Sequence, residues 1–147
     1  MVSYEANKAG EFQGGIRMME IDEFLEMLDD ISGEIPRELF RELNGGIILR
    51  PETKYHPEGI GDNLYIMGQY CRTLTMGRYI LIYYGSFMKI CGHMDKDQLR
   101  ARVRKTVLHE FTHHLESMAG ERGLEIEDAI FIQNYKDRYK ASENGGN

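Results

Sequence analysis

The spacing of apolar residues changes repeatedly along the chain, and each change marks a different kind of element. Through about Arg17 there is little apolar periodicity, and Gly10, Gly14 and Gly15 interrupt it, which predicts a flexible N-terminal arm over 1–17. From Ile21 the apolar side chains fall at Ile21, Phe24, Leu25, Leu28 and Ile31, the spacing of one helical face, with Asp22 as candidate cap and an end near Gly33. Pro36 suits the first position of a second, shorter helix that buries Leu39, Phe40 and Leu43 and stops at Asn44-Gly45-Gly46. The period then shortens. Ile47-Ile48-Leu49, closed by Pro51, reads as a strand, and a polar loop containing Gly and Pro carries the chain to Asn63.

The stretch from Leu64 to Ile90 holds the strongest strand signals, at Leu64 to Met67, Tyr70 to Leu74 and Tyr79 to Tyr84, with Gly68 and Gly77 as turn glycines. Antiparallel pairing is expected there. The run from Tyr79, bracketed by Gly77 and Gly85, is β-branched or aromatic almost throughout, as in a strand covered on both faces. Asp95 and Gln98 form a candidate capping box for a long helix through Leu99, Val103, Val107, Leu108, Phe111, Leu115 and Met118, with Gly120 as its stop. A last helix over about 125–140 buries Ile126, Ala129 and Ile130 ahead of a disordered tail at 142–147. The sum is one α+β domain over 18–141, a small, mainly antiparallel sheet packed against a long helix with flanking helices.

Composition narrows the function classes. The 147 residues suffice for one domain, and a net charge of −6 without a Lys/Arg-rich block argues against nucleic acid as partner. Arg100, Arg102, Arg104 and Lys105 step around the long helix and read as a solvated face. No apolar run is long enough to cross a bilayer, and the N-terminus lacks a signal-peptide pattern, so no membrane partner and a cytoplasmic location are expected. Cys71 and Cys91 are too few for a disulfide framework and fit reduced thiols.

The chemistry concentrates in His109-Glu110-Phe111-Thr112-His113, an HExxH pattern inside the long helix. Positions i and i+4 share a helical face, so the imidazoles of His109 and His113 can converge on one zinc ion. Glu110, turned about 100° from His109, stays out of the ligand set yet near a metal-bound water, where it can act as general base. A catalytic zinc takes three protein ligands, and the third is open between two sources. Glu116 shares the histidines' face, whereas Glu121, Glu125, Glu127 and Asp128 lie beyond Gly120 and could fold back across the metal. His114 points away from His113, as a supporting or surface residue. Cys91-Gly92-His93 reads as a turn with a buried thiol, His56 as a loop residue, and Tyr79, Tyr83, Tyr84 and Phe87 as sheet packing.

On these residues the chain resembles the minimal zincin-like metallopeptidases of bacteria. Besides the motif helix through Glu116, the blocks Glu34 to Phe40, Asn44-Gly45-Gly46 and Tyr83 to Phe87 look like those of the family. The resemblance implies a minimal zincin-like domain whose edge strand holds an extended peptide across the zinc, with the strand from Tyr79 as candidate. The metzincin extension HExxHxxGxxH/D is not met, because Glu116 stands where Gly is needed and Ala119 where His or Asp is needed.

The expected activity is hydrolysis of a peptide or protein substrate by a zinc-activated water, with Glu110 as base and His114, Tyr135 or Tyr139 as candidate oxyanion donor. The alternative is a non-catalytic binding or scaffold protein with a weak or structural metal site. A nucleic-acid hydrolase is disfavoured by the acidic charge balance.

Overall fold

The computed structural model describes residues 2–4, 19–59 and 64–122. In chain order these form β1 (Val2–Tyr4), α1 (Ile21–Glu34), a 3₁₀ turn (Arg37–Phe40), β2 (Gly46–Arg50), β3 (Lys54–Tyr55), β4 (Tyr65–Ile66), β5 (Gly68–Thr73), β6 (Gly77–Tyr83), α2 (Tyr84–Cys91) and α3 (Lys96–Arg122). The last predicted helix, the tail and most of the N-terminal arm lie outside the described residues.

The architecture is α+β, but the sheet is mixed where a mainly antiparallel one was expected. Its order is β1-β2-β6-β5; β1 pairs with β2 and β2 with β6 in parallel, and only β5 and β6 are antiparallel. A separate antiparallel pair joins β3 to β4. The parallel pairing at β1 was illegible because Val2-Ser3-Tyr4 offers too few residues for a period, so part of the supposed arm is sheet. The strand from Tyr79 is interior, between β2 and β5, and β5 forms the edge.

Alternation along β6 explains why both its faces are covered. Ile80 and Ile82 join Ile47 and Leu49 under the helices, whereas Leu81 and Tyr83 join Ile48 in a smaller cluster on the opposite face. The helical layer adds Phe24, Met27, Leu28 and Ile31 from α1, Phe87, Met88 and Cys91 from α2, and Val103, Val107, Phe111 and Leu115 from α3. Phe24 meets the rings of Tyr84 and Phe87 at centroid distances of 5.5 Å, locking α1 to α2. Arg100 and Arg104 bond Glu34 at 2.7 and 3.1 Å, so part of the predicted solvated basic face ties α3 to the end of α1. Among the described residues no helix is long and apolar enough to cross a membrane.

Several boundaries moved for local reasons. The N-cap of α1 is Glu20, without a side-chain cap bond, instead of Asp22, and the Pro36 helix tightens to a single 3₁₀ turn. The Asp95/Gln98 box forms as expected, with Gln98 N–H on Asp95 Oδ1 at 2.8 Å and Asp95 N–H on Gln98 Oε1 at 3.2 Å. Helix α3 runs through Gly120 to Arg122, and α2 was not foreseen, since Gly85 reads as a strand stop.

Gly85 serves a different purpose. A Cβ there would stand 2.6 Å from the main chain of Glu52 and Thr53, so its absence lets α2 begin against the loop after β2. Gly85→Ala is expected to lower the unfolding free energy by about 2–3 kcal/mol. Chemical denaturation measures it; a loss under ~0.5 kcal/mol would show that the loop yields freely.

Candidate metal centre

Helix α3 sorts its polar residues by angle. His109 and His113 are exposed, one turn apart, and their Nε2 atoms approach to 3.1 Å with the rings nearly perpendicular at 88°. Glu110 faces inward and is only 6% exposed. Burial raises its carboxyl pKa above the ordinary 4.5; the nearby His109 and His113 and a hydrogen bond from the Tyr70 main-chain N–H pull it down without cancelling that effect.

Tyr70 reaches Glu110 because β5 lies very close to α3. A Cβ on Gly68 would sit 2.8 Å from Thr106 Cγ2 and 3.3 Å from Glu110 Cγ, so glycine sets the approach of strand to helix. The result is a cleft with Gly68 and Tyr70 on one wall and His109, Glu110, His113 and Glu116 on the other. Among the described residues the outer edge of β5 pairs with no other strand, which leaves an edge beside the two histidines.

A family model described as zincin-like metallopeptidase matches residues 58–129, which include the whole of this cleft. Among solved structures, a conserved hypothetical protein from T. thermophilus is 33% identical, with a TM-score of 0.59 over 69% of this chain and 98% of that one. The chain belongs to the zincin-like metallopeptidase family. No curated protein matches it.

Within the zincin-like frame the predicted residues fall into place unevenly. His109, Glu110 and His113 come together. Glu116 instead lies behind His113, with Oε2 3.7 Å from Nδ1, while the Nε2 of the same ring faces His109. Among the described residues no group of three or more His, Cys, Asp or Glu is placed to hold a metal. Glu125, Glu127, Asp128, Tyr135 and Tyr139 lie outside the described residues, as does the side chain of Glu121.

His114 is neither surface nor ligand. It is fully buried, with Nε2 2.8 Å from the Arg41 carbonyl and Nδ1 2.9 Å from the Tyr70 hydroxyl. A carbonyl only accepts, so Nε2 carries the proton and Nδ1 accepts from Tyr70. Burial, the largest effect, lowers the His114 pKa against the raising influence of the Arg41 bond, and the ring is held neutral. Both nitrogens are engaged, which removes His114 as an oxyanion donor. Cys91 is buried ahead of a turn, and His56 Nδ1 accepts the Glu58 N–H in its loop, as expected. Tyr83 and Phe87 are core residues.

Sequence reasoning missed Gly68 and Tyr70. By sequence Gly68 reads as a turn glycine, and nothing in the order of residues distinguishes Tyr70 from other strand tyrosines. Gly68→Ala should cost about 1–3 kcal/mol by crowding Thr106. Thr106→Ser, which deletes the offending methyl, should recover about 1 kcal/mol of that cost in the double variant. Additive losses in a thermal-unfolding cycle would mean that the contact does not set the strand position.

Proposed function

We propose that this chain is a zinc-dependent metallopeptidase in which His109 and His113 bind the metal and Glu110 is the general base. The observation that carries the reading is the pair of Nε2 atoms 3.1 Å apart beside a buried carboxylate. Two nitrogens bound at about 2.0–2.1 Å to a tetrahedral zinc lie roughly 3.3 Å apart, so the donor pair fits that ion with little movement. Glu116, at the rear nitrogen of His113, is suited to orienting that imidazole, as carboxylates behind ligating histidines do. The third ligand is then sought at Glu121, Glu125, Glu127 or Asp128.

Zinc, when bound, supplies Lewis acidity toward water and the scissile carbonyl. Glu110 takes the proton of the attacking water and delivers it to the departing amine. Its burial makes the carboxylate a stronger base than an exposed glutamate, and the Tyr70 N–H keeps it aimed into the cleft. The outer edge of β5, which pairs with no other strand among the described residues, offers main-chain groups besides the Tyr70 N–H to an extended peptide or protein substrate. Free Cys71 and Cys91 fit action in a reducing compartment such as the cytoplasm.

A second reading, a binding or scaffold protein with a weak or structural metal site, draws on the two-nitrogen donor set among the described residues. The two readings part at Glu110. On the peptidase reading the protein takes up one zinc per chain, His109→Ala or His113→Ala loses it, and Glu110→Gln keeps it. Glu110→Gln then cuts hydrolysis of a mixed peptide library at least about 10²-fold. Hydrolysis unaffected by Glu110→Gln would sink the peptidase reading.

Burial of Glu110 also has a stability consequence. A carboxyl whose folded pKa exceeds its unfolded value destabilises the fold when ionised, fully above the folded pKa and not at all below the unfolded one. Metal-free Glu110→Gln should therefore melt higher than the parent protein at pH 7. The difference should shrink as pH falls toward the ordinary 4.5 and vanish below it. A pH-independent difference in melting temperature would contradict this.

A further inference from the structure

His114 is a fully buried polar residue that the proposed chemistry does not use. Its two bonds run to different elements: the Arg41 carbonyl follows the 3₁₀ turn, and the Tyr70 hydroxyl belongs to β5. The ring also packs against Tyr70 at 5.5 Å and Phe111 at 6.4 Å between centroids. Tyr70 therefore has two attachments to α3, its hydroxyl on His114 and its main-chain N–H on Glu110, one turn apart along the helix.

The spacing matters because β5 is an edge strand, held by β6 on one side only among the described residues. Its separation from α3 is limited from below by the Gly68–Thr106 contact. Repulsion alone cannot fix a distance; an attachment must oppose it. A directional bond to a buried ring that is itself fixed by Arg41 supplies that attachment.

We infer that His114 is a positioning residue for Glu110: by accepting the Tyr70 hydroxyl proton at Nδ1, it holds β5 where the Tyr70 main-chain N–H meets the Glu110 carboxylate. The inference rests on the reading of Glu110 as general base, and it assigns a role to the histidine that follows His113 in the motif. His114 touches no reacting group and acts through Tyr70 alone.

The test uses the zinc-loaded full chain and observes the amide of residue 70 by proton–nitrogen NMR. Glu110→Gln should first move that amide upfield, marking loss of the charge-assisted bond. Tyr70→Phe deletes one oxygen and should reproduce the upfield movement, with hydrogen exchange at residue 70 faster by about tenfold or more. His114→Asn retains an acceptor near the Nδ1 position and should keep the amide near its original shift. His114→Gln places its amide toward Arg41 instead and should not.

A purely structural role would lower the melting temperature in Tyr70→Phe and in both His114 variants while leaving the residue 70 amide in place, and that result would overturn the inference. Should His114→Gln fail to fold, Tyr70→Phe decides alone. Failure of the base reading is separately visible: it appears as hydrolysis that survives Glu110→Gln, whatever the amide of residue 70 does.

Discussion

The contact between α3 and the edge strand β5 is the constraint on which the site depends. A helix and a strand ordinarily stand apart by the thickness of their side chains, but at Gly68 one side chain is missing and Thr106 fills the gap. That closeness buries the Glu110 carboxylate and brings a main-chain N–H within its reach. Without it, Glu110 would be a solvated helix residue of ordinary acidity. The sheet and the α1–α2 layer serve this contact by fixing β6 from both faces, so that β5 has a rigid neighbour on its paired side.

A buried carboxylate is a strange thing for a fold to keep. Its charge is opposed by desolvation, and the single amide from Tyr70 together with two exposed imidazoles does not offset that in the metal-free chain. Such a group lowers the stability of the empty protein, and a nearby cation would relieve it. The same arrangement would favour the proposed metal, because positive charge beside the carboxylate would offset its desolvation. A core built for stability alone would carry a leucine or a neutral amide at this position.

Much of this was legible in the sequence, and the division follows from range. The HExxH face, the capping box at Asp95 and Gln98, and the double burial of Ile80 to Tyr83 depend on near neighbours along the chain, which periodicity records. Pairing partners depend on distant ones. Nothing local in Val2-Ser3-Tyr4 announces a parallel strand, and nothing in Tyr79 to Tyr83 distinguishes an interior strand from an edge. Gly68 misled for a related reason: glycine marks turns and close approaches alike, and only the position of Thr106, 38 residues later, separates the two. Tyr70 carried no signal because the partners of its main-chain N–H and of its hydroxyl, Glu110 and His114, lie far along the chain.

The adjacent histidines show how one helix serves both chemistry and packing. With about 100° between successive residues, His113 lies roughly 40° from His109, Glu110 roughly 100° and His114 roughly 140°. The first angle is small enough for shared ligation. The second sits at the margin between solvent and core, where a carboxylate can be buried and still open to a cleft. The third points into the core, close to the direction of Val103 and Val107, both completely buried. One pitch therefore points His113, Glu110 and His114 in the three directions that the proposed ligand, base and anchor roles require. His114 can sit beside the proposed metal ligand His113 without competing with it, because the helix turns its ring toward Arg41 and Tyr70. Chemistry on the outer face and alignment on the inner face are thereby mechanically coupled through a single rigid element: any shift of α3 that moves His113 also moves the ring that holds Tyr70.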